Sequence, residues 1–105
     1  MNNENTKLRH IVLVKFKESA SSKDINKVEI EFGNLPSKIS EITDFEWGLN
    51  NSPEQLNKGF THGFVLTFDS EKSRDIYLPH PDHLAFVSLL KPYLDDVLVF
   101  DYWSH

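Results

Sequence analysis

Residues 9–17 read RHIVLVKFK, and this stretch decides the fold. Its residues alternate in a period of two, which is typical of a β-strand because successive side chains point to opposite faces. Large apolar side chains occupy both faces, so protein must cover the strand on both sides. One face carries His10, Val12, Val14 and Phe16, and the other carries Ile11, Leu13 and Lys15.

A helix follows this strand. Ser21 or Ser22 can cap its start, because a serine side chain accepts a hydrogen bond from a backbone N–H of the first turn. Pro36 restricts the residue before it and is expected to end or kink the helix. The apolar stripe at helical spacing consists of Ile25, Val28, Phe32 and Leu35.

Two more strands come next, at about residues 42–50 and 61–68, separated by a polar, turn-rich loop at 50–59. In each of these strands, aromatic and aliphatic side chains recur at every second position. The faces that these residues share are Phe45, Trp47 and Leu49 in the second strand, and His62, Phe64, Leu66 and Phe68 in the third.

The last part of the chain predicts a broken helix and a final strand. Ser70 can cap a short helix that runs through Leu78, and Pro81 suits the first turn of another helix that ends near Leu94. Residues 97–103, VLVFDYW, form the last strand. The order β-α-β-β-α-β, with an antiparallel sheet, is the ferredoxin-like α+β fold.

Composition limits the kind of protein. The 105 residues suit one domain, at 8–105, after a disordered polar tail at 1–7. A net charge of −5 without a basic stripe argues against nucleic acid as a partner. The sequence contains no apolar run long enough for a membrane span, no signal-peptide pattern and no cysteine, so a cytoplasmic protein is expected.

The first, third and last strands are apolar on both faces. Two helices can cover only one face of the sheet, so the other face needs a different cover. In a chain this short, a second copy is the expected cover, and the sequence predicts a homodimer through the sheet.

Five stretches, in this order, resemble the stress-responsive α/β barrel (Dabb) family over almost the whole chain. They are RHIVLVKFK at 9–17, FEWGLNNSPE at 45–54, GFTHGFVLTFDS at 59–70, YLPHPDHLAFV at 77–87 and LVFDYW at 98–103. The resemblance implies a ferredoxin-like protomer that pairs into a dimeric α/β barrel. In one branch of the family, the plant polyketide cyclases, a histidine and a tyrosine promote an aldol-type ring closure without a metal or organic cofactor. By position, the resemblance implies His83 and Tyr77 as their counterparts.

The residues themselves leave two readings of this pair. His83 lies on a helix stripe with Phe86, Val87 and Leu90, where a histidine can act as a general base or donate a structural hydrogen bond to a carbonyl. Tyr77 ends the preceding helix, and Pro79 and Pro81 turn the chain so that its phenol can approach His83. A phenol there can stabilise an oxyanion or simply keep its hydroxyl in water.

Further side chains are expected to line a pocket. His10 and His62 each share a strand face with large apolar residues, and His80, between two prolines, suits a helix N-cap. Asp101 interrupts an apolar strand face and needs a partner, for which Arg9 or Lys15 is expected. The predicted pocket-lining set is His10, His62, Phe86, Val87, Trp47 and His80.

No metal or other cofactor is expected. The spacing His80-x-x-His83, together with His10 and His62, invites a metal interpretation, but the two prolines prevent His80 and His83 from continuing one helix face, and zinc needs three or four ligands in a defined geometry.

Three functions therefore stay open. The first is a stress-associated homodimer whose internal pocket binds a small apolar or aromatic molecule. The second is a cofactor-independent, cyclase-like lyase that uses the His83 and Tyr77 pair. The third is a small monooxygenase-like enzyme, either cofactor-free or haem-linked, since related ferredoxin-like dimers bind haem through a histidine.

Overall fold

The computed structural model describes residues 6–105 and confirms the ferredoxin-like fold. The strands are β1 (Leu8–Phe16), β2 (Asp44–Leu49), β3 (His62–Phe68) and β4 (Leu94–Trp103). The helices are α1 (Ser22–Lys38), α2 (Glu71–Tyr77) and α3 (Pro81–Leu90), followed by a 3-10 turn at Lys91–Tyr93. Of the tail predicted at 1–7, residues 1–5 lie outside the described part, whereas the Lys7 amide donates to Ser104 Oγ at 2.7 Å.

The four strands form one antiparallel sheet in the order β2-β3-β1-β4. Register places His10 opposite both Leu66 of β3 and Asp101 of β4, so these side chains share one face. Because register partners project to the same side, every second residue of each strand belongs to the face that the helices cover.

The core lies between this face and the helices. Phe32 of α1 stacks on Phe64 at a ring distance of 4.3 Å and also contacts Phe86 of α3 at 4.5 Å. Aromatic rings and aliphatic side chains from the sheet and from both helices thus meet in one cluster. Its fully buried side chains are Leu8, Val14, Val28, Leu35, Ile39, Phe64, Leu66, Phe68 and Tyr77.

The helix starts follow the predicted caps. Ser21 caps α1 in a reciprocal box with Asp24, each backbone N–H donating to the other side chain at 3.1 Å. Ser70 caps α2 and His80 caps α3, where His80 Nδ1 accepts from the Asp82 amide at 3.1 Å.

Two helix ends differ from the prediction. Of the two outcomes expected at Pro36, an end or a kink, the end is wrong: helix α1 continues to Lys38, because the Ile39 amide still reaches the Leu35 carbonyl at 2.9 Å and closes the last turn around the proline. Helix α3 ends at Leu90 rather than near Leu94, since Pro92 tightens the chain into a 3-10 turn. Strand β4 consequently begins at Leu94 instead of Val97.

The sheet face turned away from the helices is apolar. This outer face carries Leu98, Phe100 and Tyr102 of β4, which are 44, 60 and 44% exposed, and the half-buried Ile11, Leu13 and Val65. Among residues 6–105, no helix is long and apolar enough to cross a bilayer.

Candidate functional site

A cavity of about 250 Å³ lies between the sheet and α3. Its walls are mostly apolar, and three polar side chains, His10, Tyr77 and His83, converge on it. An apolar concave site with a few convergent polar groups is the usual form of a small-molecule site. The apolar lining consists of Val12, Phe32, Leu78, Phe86, Val87, Leu90, Leu94, Val97 and Val99.

The break between α2 and α3 brings Tyr77 and His83 together. Tyr77 is the last residue of α2, and the prolines that follow reverse the chain so that His83 falls in the first turn of α3. The two ring centroids are 4.2 Å apart. The sequence therefore predicts this approach correctly, whereas the roles of the two residues stay predictions.

The hydrogen bond of His83 determines which of its nitrogens can act as a base. Nδ1 lies 2.8 Å from the carbonyl oxygen of Leu78. Since a carbonyl oxygen only accepts, Nδ1 carries the proton, and Nε2 of the neutral ring has the free lone pair. Burial lowers the pKa of His83, and the nearby His10 and His80 lower it further, although the bond to Leu78 opposes the shift. The imidazole is therefore held in its neutral, basic form.

Tyr77 is 1% exposed, and burial raises the pKa of its phenol well above the usual value of about 10. The phenol consequently keeps its proton over the whole physiological range. A neutral phenol beside a neutral imidazole gives the cavity one hydrogen-bond donor and one base.

His10 is the third polar group of the cavity, and a carboxylate fixes it. Nδ1 of His10 lies 2.7 Å from Asp101 Oδ1, and Asp101 Oδ2 accepts from Arg74 Nη1 at 3.3 Å. The carboxylate accepts from Nδ1–H, which determines the ring orientation. The ring centroid of His10 is 5.8 Å from that of Tyr77.

The prediction that Asp101 pairs with Arg9 or Lys15 is therefore wrong. Arg9 and Lys15 sit on the outer face of β1, whereas Asp101 shares the helix face with His10 through the β1–β4 register. Arg9 Nη1 instead donates to Thr67 Oγ1 at 2.6 Å, and Lys15 pairs with Asp95.

Three of the predicted pocket-lining residues lie elsewhere. Among the described residues, the lining of this cavity does not include Trp47, His62 or His80, although His62 lines a separate cleft of about 450 Å³. The indole of Trp47 stacks on His62 at 5.8 Å, and His62 pairs with Glu29 of α1 at 2.8 Å. His10, Phe86 and Val87 do line the cavity.

Sequence reasoning missed Arg74, the Leu78 carbonyl and the two β4 valines of the lining. Arg74 precedes Tyr77 by three residues on α2, and this i, i+3 spacing is a signal that could have placed it near the site. Val97 and Val99 alternate with Asp101 on the same strand face, so they follow from the period of two once Asp101 is placed. No side-chain pattern indicates the Leu78 carbonyl.

No group of three or more His, Cys, Asp or Glu side chains within residues 6–105 is arranged to hold a metal ion.

These features define a class: a ferredoxin-like α+β domain with an apolar cavity that holds an imidazole and a phenol side by side. Residues 8–104 match the family model described as the stress responsive A/B barrel domain, Dabb. The chain belongs to this family.

Two relatives span nearly all of the chain. It is 36% identical over 95 residues to the stress-response A/B barrel domain-containing protein HS1 of Arabidopsis thaliana, covering 90% of this chain and 87% of that protein. It is 26% identical over 95 residues to olivetolic acid cyclase of Cannabis sativa, covering 90% and 94%.

Solved structures of related proteins have a similar fold. A hydroxynitrile lyase from Passiflora edulis superposes with a TM-score of 0.88 at 29% identity, covering 94% of each chain. A protein of unknown function from Bacteroides fragilis, described as dimeric with a ferredoxin-like fold, gives a TM-score of 0.73 at 28% identity, covering 91% of this chain and 94% of that one.

Proposed function

We propose that this chain binds a small, largely apolar carbonyl compound in the cavity beside α3 and catalyses proton transfer at the carbon next to the carbonyl, as a cofactor-independent, lyase- or cyclase-type enzyme. The observation that carries the proposal is the His83 hydrogen bond to Leu78, which leaves a neutral Nε2 as the base next to the Tyr77 phenol. A partly buried, neutral base next to a hydrogen-bond donor is an arrangement that suits general base catalysis.

The cavity limits the substrate class. Its volume of about 250 Å³ is below the usual range of roughly 300–1,000 Å³ for drug-sized ligands. Valine, leucine and phenylalanine side chains form most of the wall, so the part of the ligand that does not react is apolar, either aliphatic or a single aromatic ring. The polar end of the ligand faces Tyr77, His83 and His10.

In the proposed reaction, Nε2 of His83 takes a proton from the carbon next to the carbonyl, and the electron pair of the C–H bond moves toward the carbonyl oxygen. The Tyr77 hydroxyl donates a hydrogen bond to that oxygen and stabilises the negative charge. His10, held by Asp101 and Arg74, orients the carbonyl end of the ligand. The resulting enolate then attacks a second carbonyl, loses a leaving group or regains a proton.

The similarity to olivetolic acid cyclase and to a hydroxynitrile lyase supports this proposal. Both relatives are named as enzymes, and their names specify a cyclase and a lyase. Because identity to both is below 30%, the substrate of neither is assigned to this chain.

The proposed form in solution is a homodimer through the outer face of the sheet. That face carries three apolar side chains that are 44–60% exposed, and a contiguous apolar patch of this kind marks an interaction surface. A dimeric relative with 28% identity supports a second copy as the cover. A two-fold axis would pack Leu98, Phe100 and Tyr102 against the same residues of the partner.

Exchange of carbon-bound protons tests the proposal without a known product. We expect the wild-type protein in D₂O to exchange the α-protons of a small alkyl or aryl-alkyl ketone or an alkyl aldehyde faster than buffer does, as measured by NMR of the small molecule. Tyr77→Phe should lower kcat/KM about 10–10³-fold, because it removes the hydrogen bond to the developing oxyanion.

Tyr93→Phe is the matched control, since Tyr93 is a half-buried tyrosine outside the cavity lining. If none of the ketones and aldehydes tested binds to the protein or exchanges its α-protons faster than in buffer, the proposed function is wrong. Equal rates for Tyr77→Phe and Tyr93→Phe would remove Tyr77 from the mechanism.

The lowered pKa of His83 predicts the pH dependence. Burial favours the neutral ring, so the base stays available below the ordinary histidine value of about 6.5. The acid limb of the pH profile of kcat/KM for exchange should therefore have its midpoint below pH 6.5. The unfolded chain binds the proton more readily than the folded one between the two pKa values, so the contribution of His83 to stability should fall as the pH drops below 6.5. A midpoint at or above 6.5 would exclude His83 as the titrating base.

A further inference from the structure

A chain of hydrogen-bonded charged side chains ends on His10 at the wall of the cavity beside α3. Nδ1 of His10 lies 2.7 Å from Asp101 Oδ1, and the other oxygen of this carboxylate accepts from Arg74 Nη1 at 3.3 Å. Arg74 Nε donates in turn to Asp75 at 3.1 Å. The exposed fraction of the side chain falls from 62% at Asp75 to 6% at His10, so the chain connects the protein surface with the cavity.

The second nitrogen of His10 borders the cavity. His10 belongs to the lining, and within residues 6–105 its Nε2 has no hydrogen-bond partner. Every fully buried side-chain nitrogen or oxygen in this part of the chain does have a partner. Nε2 therefore lies against the open space of the cavity, and the same argument applies to the Tyr77 hydroxyl. The two ring centroids are 5.8 Å apart, so one small ligand can reach both groups.

The charges around His10 favour a neutral imidazole. Burial disfavours a charged ring, whereas the Asp101 carboxylate on its own would favour one. Arg74 balances that carboxylate with a positive charge. The other titratable groups that face the ring, Tyr77 and His83, are held in their neutral forms and add no negative charge. In the neutral ring the proton lies on Nδ1, toward Asp101, and Nε2 holds the lone pair.

The cavity then presents two acceptors and one donor to a ligand. Nε2 of His10 and Nε2 of His83 accept, and the Tyr77 hydroxyl donates. In the proposed reaction Tyr77 binds the carbonyl oxygen and His83 takes the proton from carbon, which leaves His10 for a donor group of the ligand. A hydroxyl is the simplest uncharged donor, since an aliphatic amine would bring a charge into an apolar cavity.

We infer that Arg74 is a positioning residue that acts through Asp101 to keep His10 neutral, and that His10 Nε2 accepts a hydrogen bond from a hydroxyl group of the ligand. The ligand is then a hydroxy ketone or hydroxy aldehyde with an aliphatic or single-ring apolar part. Among the described residues, the cavity lining does not include Arg74, so its effect reaches the ligand through Asp101 and His10. The inference rests on the proposed function, because it adds one group to the substrate of the same cavity.

The ¹⁵N chemical shifts of the His10 ring test the role of Arg74 without any ligand. At neutral pH we expect the wild type to carry one ring proton, on Nδ1. Arg74→Met leaves the Asp101 carboxylate unbalanced, so both ring nitrogens should be protonated. Arg74→Lys keeps the positive charge and should resemble the wild type. Lys72→Met is the matched control, because it removes an exposed positive charge from the same helix.

A double substitution separates the effect of charge from damage to the fold. Arg74→Met combined with Asp101→Asn removes both charges and leaves an amide oxygen to accept from Nδ1, so the ring should return to its neutral form. Urea unfolding of each variant shows whether the fold persists. A wild-type ring with both nitrogens protonated, or an unchanged spectrum in Arg74→Met, would overturn the inference.

A matched pair of ligands tests the hydroxyl group. The probes are 4-hydroxy-4-phenylbutan-2-one and its methyl ether, which lacks the hydroxyl proton, and Kd is measured by NMR titration. We expect the wild type to bind the alcohol about 10-fold more tightly, the contribution of one net hydrogen bond. In Arg74→Met the charged ring can donate to either oxygen, so most of this preference should disappear.

Equal Kd values for the two probes in the wild type would overturn the inference. So would a preference that is unchanged in Arg74→Met, because the size of the methyl group would then explain it. Neither the ring spectra nor the binding measurements need turnover. Proton exchange without the preference for the alcohol therefore refutes this inference alone, and the preference without proton exchange refutes the proposed reaction.

Discussion

Replacing His83 by asparagine is expected to lower kcat/KM for α-proton exchange by about 10²–10⁴-fold, the usual contribution of a positioned general base. In the wild type, His83 Nδ1 lies 2.8 Å from the Leu78 carbonyl oxygen. The amide nitrogen of asparagine occupies nearly the position of Nδ1, so the variant keeps a donor for this carbonyl. It has no counterpart of the Nε2 lone pair. The substitution therefore separates the base from the structural hydrogen bond.

The measurement is the exchange rate in D₂O with the ketone or aldehyde that the wild-type protein turns over best. His105→Gln is the control, since this exposed histidine at the end of the chain lies outside the cavity lining. If His83→Asn folds normally and exchanges protons as fast as wild type, Nε2 is not the base.

Stability distinguishes the two roles of the same residue. His83→Ala removes the bond to Leu78 as well as the base, and the loss of a satisfied, partly buried hydrogen bond typically costs about 1–3 kcal/mol. Urea unfolding at matched protomer concentration should therefore show His83→Ala less stable than His83→Asn. If both variants lose activity and only His83→Ala loses stability, catalysis and structure depend on different nitrogens of one ring.

The sequence predicts the fold well because the alternation of side chains in a strand and the capping of a helix both depend on residues close together in the chain. Alternation in residues 9–17 depends only on which neighbours share a face, and it identifies β1 and the residues that share each of its faces correctly. Serine caps mark where α1 and α2 begin, because the cap acts within one turn. Helix ends are less certain, since Pro36 restricts the chain without preventing one more turn.

In the candidate site, too, the sequence predicts contacts between residues close in the chain and misses contacts between distant segments. The approach of Tyr77 to His83 follows from two prolines within six residues of chain, so local sequence predicts it. The partners of Asp101 depend on the register between β1 and β4, which are about 90 residues apart in sequence. A register shift of one residue would move Asp101 to the outer face, beside Arg9. Glu29 meets His62 only because α1 docks across the sheet, and no spacing in the sequence encodes that contact.

A charge placed on the outer face of the sheet is expected to have the second large effect, which is on dimerisation. In the proposed dimer, Leu98 packs in the apolar interface, so Leu98→Asp introduces one carboxylate from each protomer. Each carboxylate would be removed from water without a partner, at a cost of several kcal/mol. A cost of roughly 4 kcal/mol weakens the dimer on the order of 10³-fold. At micromolar concentration we expect Leu98→Asp to be a monomer and the wild type to be a dimer.

Leu84→Asp is the matched control, because Leu84 is 51% exposed on α3, against 44% for Leu98, and lies on the helical side of the protein. Light scattering coupled to size-exclusion chromatography measures the mass of each variant across a dilution series. A dimeric Leu98→Asp would place the interface elsewhere, and a monomeric Leu84→Asp would place it on the helices. A wild type that remains a monomer at all concentrations would mean that the apolar outer face has some cover other than a second copy. If Leu98→Asp is monomeric but folded, its proton exchange then shows whether the cavity beside α3 works within one protomer, as the position of His10, Tyr77 and His83 in a single chain predicts.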